Sequence, residues 1–204
     1  MLGEEVGAVP KVQMSVAVSP GPEQVIEELV ETYQHAVFGF ALRLAGNPQD
    51  AEEIAQDTFV RAYRALPGYS EEQRRTLKTR PWLLQIALNV FRNRVRTRRV
   101  ATQPLELDED DDHVPLQFEG NWRERPDVQA EASERRQALA AQLGALPVHF
   151  RVAVVLRHVE GMAYGEIAAV LDQPVGTVKA HVHRGTRLLR TALETLEPEL
   201  CEIR

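Results

Sequence analysis

Between residues 73 and 100 the chain carries nine basic groups, Arg74, Arg75, Lys78, Arg80, Arg92, Arg94, Arg96, Arg98 and Arg99, and no acidic one. Trp82 and Phe91 are interleaved with them, and Asn89 and Asn93 stand one helical turn apart. Such residues do non-covalent chemistry. Cations neutralise a phosphate backbone, aromatic rings stack on unpaired bases for about 1–3 kcal/mol per base, and amides pair with base edges. The other use of this set is a solvated basic face with Trp82 in the core. A second set lies in one later stretch: Val175, Thr177, Lys179, Ala180, His181, His183, Arg184 and Arg187. There Lys and Arg can donate to guanine edges or phosphates, and Thr can touch a thymine methyl. A third set, Asp50, Glu52, Glu53, Gln56 and Asp57, makes an acidic, amide-rich helix face. That face suits the dipole of a helix start, or the docking of another protein.

Covalent chemistry lacks its usual groupings. His35, His113, His149, His158, His181 and His183 are scattered, and the last two, two residues apart on a helix, do not share a face. Glu52 and Glu53 are adjacent rather than convergent. There is no phosphate-binding glycine loop and no nucleophile motif. Cys201 is the single cysteine, which excludes an internal disulfide and a cysteine metal site. The expectation is a non-enzyme with no catalytic residue, cofactor or metal.

The elements that must hold these sets follow from apolar spacing. Ile26, Leu29, Tyr33, Val37, Phe40 and Leu44 recur every three or four residues, the period of one helix face. Gly46-Asn47-Pro48 then breaks the pattern, with Asn47 as cap and Pro48 at the first position of a second helix that ends at Pro67-Gly68. Tyr69 to Thr79 reads as a polar loop. A third helix starts near Pro81, burying Trp82, Leu83, Ile86, Ala87 and Val90 and loading its far end with arginines. Helical period resumes at Leu139, Leu143 and Leu146, stops at Pro147, and runs on to Gly161. A short helix through Ile167 and Leu171, a turn at Asp172-Gln173-Pro174 and a longer helix through Val178, Val182 and Leu189 complete a helix-turn-helix pattern. An ordinary helical hairpin would have the same spacing. No segment alternates as a strand does, so the fold class is all-α, with two small helical domains.

Length and charge set the frame. The 204 residues allow one medium domain or two small ones. The net charge of −6 hides a strong pattern, for residues 101–134 hold eleven acidic and two basic groups, including the unbroken run Asp108–Asp112. That acidic, aperiodic, proline-punctuated segment reads as a flexible linker between a domain at 23–100 and one at 135–197, and residues 1–22 as a disordered leader. No run approaches the roughly 18 apolar residues of a membrane helix, and the leader lacks the pattern of a secretion signal. A cytoplasmic protein without membrane insertion is expected.

Residues 50–64, DAEEIAQDTFVRAYR, resemble the polymerase-docking helix of sigma-70 family sigma factors. Residues 81–99, PWLLQIALNVFRNRVRTRR, resemble the next segment of that family, and 161–190, GMAYGEIAAVLDQPVGTVKAHVHRGTRLLR, its C-terminal helix-turn-helix. Order and spacing are similar to those of the two-domain extracytoplasmic-function (ECF) group. The resemblance implies a subunit that joins core RNA polymerase, recognises a promoter and helps to melt it. Asp50, Glu53, Gln56, Asp57 and Phe59 would meet the β′ clamp helices, and the β flap of core polymerase is a further implied contact. Arg74, Arg75, Lys78, Arg80, Trp82, Asn89, Arg92, Asn93 and Arg96 would hold the single-stranded −10 element. Val175, Thr177, Lys179, Ala180, His181, His183, Arg184 and Arg187 would read the −35 element as duplex. Leu88 and Asn93 depart from the pattern, which carries an arginine and an acid there. An anti-sigma factor is a further implied partner. The competing reading is a helix-turn-helix regulator that acts without replacing the sigma subunit.

Overall fold

The computed structural model describes residues 22–102 and 130–196. Residues 1–21, most of the expected linker, and Cys201 lie outside that range. Every regular element among the described residues is a helix, as the apolar period implies. Helices α1 (Pro22–Ala45), α2 (Pro48–Ala65), α3 (Glu71–Thr76) and α4 (Thr79–Thr102) form the first module. Helices α5 (Ala130–Ala145), α6 (Val148–Val154), α7 (Tyr164–Leu171) and α8 (Val175–Leu196) form the second.

The chain reverses between α1 and α2 at Gly46, whose φ of 80° favours glycine. Asn47 then caps α2, its Oδ1 accepting from the Asp50 backbone N–H at 2.8 Å, with Pro48 in the first turn. The expected loop before the third helix contains an extra one. Ser70 Oγ accepts from Gln73 N–H at 3.2 Å, and Gln73 Oε1 accepts from Ser70 N–H at 2.8 Å, a capping box that starts α3. Helix α4 begins at Thr79, ahead of Pro81, and α5 begins at Ala130, ahead of the domain start expected at 135. After Val154 the helix widens into one π turn, Val155–Val159, closed by the Glu160 N–H donating to the Val155 carbonyl at 3.0 Å.

The modules share a continuous interior. Phe40 and Leu44 of α1, Ile54 of α2, and Leu83, Leu84 and Leu88 of α4 pack in the same buried cluster as Leu156, Ile167 and Val178. Each such side chain is worth about 1.5–3 kcal/mol when fully buried. Leu88 is wholly buried and belongs to the core. Across the junction α1 meets α5 and α6, while α4 meets α7.

Two features fix the second module. Arg151 is fully buried and, among the described residues, has no carboxylate beside it. Its guanidinium donates to the carbonyls of Leu143 (3.0 Å), Gly144 (2.5 Å), Leu146 (2.9 Å) and, across the junction, Leu44 (2.8 Å). Burial pushes its pKa down to about 10, which leaves it charged at neutral pH. Gly185 lets α8 lie on α6, because a Cβ there would meet Val154 Cγ2 at 2.6 Å.

Candidate nucleic-acid interface

Helix α4 sorts its arginines by face. Asn89, Arg92, Asn93 and Arg96, spaced three, one and three residues apart, form one exposed stripe. Arg94 and Arg98 turn the other way and hold α2. Arg98 grips Asp50 through both oxygens at 2.6 and 2.8 Å, and Asn47 donates to the same carboxylate at 2.6 Å. Arg94 donates to Glu53 at 2.6 Å and Asp57 at 3.4 Å. Burial would raise the Asp50 carboxyl, but hydrogen bonds from Arg98 and Asn47 and the charges of Arg98 and Arg94 outweigh it and hold it below its usual range.

The acidic face of α2 is thereby divided. Asp50 is only 7% exposed, so it builds the helix junction instead of presenting a free carboxylate. Glu53, Gln56 and Asp57 remain exposed, Phe59 is half-buried, and Val60 and Tyr63 add exposed apolar surface that the sequence reading left out. A shallow groove of about 330 Å³, walled by Asp57, Arg61, Asn93 and Thr97 among others, joins this face to the stripe on α4.

The residues ahead of α4 are less open than their sequence suggests. Arg74 donates through Nε to the Tyr69 carbonyl at 3.0 Å, and Arg75 pairs with Glu71 at 2.7 Å. Trp82 is half-buried. Its Nε1–H donates to Tyr69 Oη at 3.1 Å, and the two rings meet edge to face at 5.9 Å. Thirteen residues separate them, so Tyr69 gave no sequence signal of this role. Lys78 pairs with Glu166 at 2.8 Å, and Arg80 with Glu160 at 2.6 Å, both across the module junction.

In the second module, Asp172 takes the left-handed conformation (φ 54°) that ends α7 and turns the chain into α8. Val175, Lys179, His183, Arg184 and Arg187 are exposed on α8, and Thr177 and Ala180 are half-exposed. Among the described residues no carboxylate pairs with Lys179, Arg184 or Arg187. Arg157 and Lys179 lie 4.8 and 5.7 Å from the centre of the Tyr164 ring, which ties the N-terminal part of α8 to α7. His181 departs from the expected reading face. Its ring packs on His149 at 5.1 Å and Phe150 at 5.6 Å, toward α6.

Residues 29–100 match the sigma-70 region 2 family model, and residues 136–189 match the sigma-70 region 4 model. The RNA polymerase sigma-H factor of Pseudomonas aeruginosa is 30% identical over 90% of this chain and 94% of its own length. The chain belongs to the sigma-70 family. The ECF sigma factor SigE of Mycolicibacterium smegmatis is 38% identical over 82% of this chain, which spans 61% of that relative. SigW of Bacillus subtilis, also an ECF sigma factor, is 28% identical over 88% and 94% of the two chains. These relatives put the chain in the ECF group of RNA polymerase sigma factors, a family of initiation subunits rather than catalysts. Two solved structures share the fold. The sigma factor RpoE of Bartonella quintana, in complex with the anti-sigma factor NepR, gives a TM-score of 0.65 at 23% identity over 84% and 98% of the chains. CnrH, bound to the cytosolic domain of CnrY, gives 0.59 at 24% over 85% and 90%. No described helix of this sigma factor is long and apolar enough to cross a membrane.

Proposed function

We propose that this ECF sigma factor joins core RNA polymerase through α2, holds the melted −10 strand on α4 and its preceding loop, and reads the −35 duplex with α8. It does so in the cytoplasm, without catalysis. Residues 23–100 serve docking and the −10 element, 135–197 serve the −35 element and the β flap, 101–134 tether them, and 1–22 are a leader. Glu53, Gln56, Asp57 and Phe59 meet the clamp helices, while Asp50 acts indirectly by fixing α2 against α4. Asn89, Arg92, Asn93 and Arg96 face the strand, with Arg74, Arg75, Lys78, Arg80 and Trp82 at its upstream side. Val175, Thr177, Lys179, Ala180, His183, Arg184 and Arg187 face the duplex, and His181 supports them from behind. The complexes of RpoE and CnrH support an anti-sigma partner here too.

The observation that carries this reading is the sorting of α4: two arginines turn inward to brace the docking helix, and two amides and two arginines line up outward. Such a stripe supplies phosphate neutralisation and base-edge pairing together. Run-off transcription with purified core polymerase on fragments of the source genome tests it. Discrete transcripts that need this protein are expected, and Asn89→Ala with Arg92→Gln should reduce them. Duplex binding without any polymerase contact would overturn the reading in favour of an ordinary regulator.

A further inference from the structure

Two of the cations assigned to the −10 strand are already occupied, and by the other module. Arg80 donates through Nη2 to the Glu160 carboxylate at 2.6 Å and through Nη1 to the Glu160 carbonyl at 3.1 Å. The Glu160 side chain is only 4% exposed, so this contact sits in the junction rather than on the rim. Lys78 donates to Glu166 at 2.8 Å, and that hydrogen bond, with one from the Ala163 N–H, holds the Glu166 carboxyl below its usual range. A carboxylate on Arg or Lys occupies the position that a phosphate oxygen would take, with similar charge and hydrogen-bond geometry. Glu160 owes its place to the π turn before it, and Glu166 to the first turn of α7.

We propose that Glu160 and Glu166 are internal stand-ins for strand phosphates, which mask Arg80 and Lys78 until the modules part. This rests on the −10 assignment of those two cations and adds the regulation of that site. The mask is one-sided. Lys179, His183, Arg184 and Arg187 stay exposed while the modules are closed, so the closed protein withholds single-strand contacts and keeps its duplex-reading helix open. The strand must exchange with the two carboxylates, and polymerase binding that separates the modules would remove the competitors. Simple repulsion by the acidic segments would weaken strand and duplex alike, so the asymmetry is what distinguishes the mask.

The full-length free protein tests this with fluorescein-labelled, mixed-sequence DNA, single-stranded and duplex, at one ionic strength. Glu160→Gln with Glu166→Gln, near-isosteric changes, should tighten single-strand binding about tenfold, as expected for two charge-assisted contacts, and change duplex binding less than twofold. Adding Lys78→Gln and Arg80→Gln should return strand affinity to the wild-type value. Equal strand affinity of the wild type and the double Gln variant, with both folded by circular dichroism, would overturn the mask. In that case weaker binding by Lys78→Gln/Arg80→Gln alone would leave the −10 assignment standing. A fourfold variant that keeps the full gain would overturn both. Glu166→Gln alone, at a more exposed site, should give part of the gain and guards against misfolding of the Glu160 change.

Discussion

The two modules place their charges in opposite ways. The first is braced by ion pairs between helices, with Asp50, Glu53 and Asp57 of α2 held by Arg94 and Arg98 of α4. The second has no ion pair of its own among the described residues. It is braced by a buried guanidinium that satisfies backbone carbonyls and by a glycine that lets two helices touch. Ion pairs are partly solvated, so they respond to pH and salt. A carbonyl cage and a close helix approach respond to shape. The first module is thus tuned by charge and the second by packing, and substitutions should separate the two.

The largest effect is expected at Arg151. Arg151→Met leaves several buried carbonyls without donors and should cost about 3–5 kcal/mol in urea unfolding, with little dependence on salt. A loss below about 1 kcal/mol would break the contrast, because it would mean that water replaces the cage. Gly185→Ala comes next, at about 1–3 kcal/mol by overpacking against Val154, and should reduce −35 duplex binding through the displaced α8.

Asp50→Asn should cost about 1 kcal/mol, discounted for the exposure of Arg98. Its signature is acid dependence. Because the folded Asp50 carboxyl lies below its unfolded value, its stabilisation is present above about pH 4 and is lost as pH falls through the folded value. Asp50→Asn should flatten that acid limb in a melting series, and an unchanged limb would remove the brace. Arg184→Ala, which should leave melting unaltered, and Arg92→Gln act on ligand binding. They should weaken duplex and strand binding respectively by about 1–3 kcal/mol, each without effect on the other ligand.

The smallest effect sharpens the comparison from the packing side. Burial, with the charges of His149 and Arg184, holds the His181 ring below its ordinary pKa. Unfolded chains then take up the proton first as pH falls below about 6.5, so stability declines in that window. His181→Phe should remove the decline in calorimetry while keeping the ring stack.

How much of this was legible beforehand depends on sequence distance. The stripe Asn89, Arg92, Asn93 and Arg96 follows from helical spacing, as do the Asn47 cap and the turn at Asp172. Ser70 and Gln73 carried a capping-box signal that the polar composition around them concealed. Arg94 and Arg98 could not be told from their exposed neighbours by sequence. Their acidic partners lie 37 to 48 residues away. Leu88 proved to be core, which only packing could decide.

By itself the sequence determined the helices, their order and the chemical character of each face, because these depend on neighbours within about four residues. The tertiary structure alone decided which charges are spent inside the molecule. Only packing brings Arg80 to Glu160, Arg151 to Leu44 and Trp82 to Tyr69. The strength of a charge at a surface depends on what stands beside it in space, and one-dimensional spacing carries no record of that.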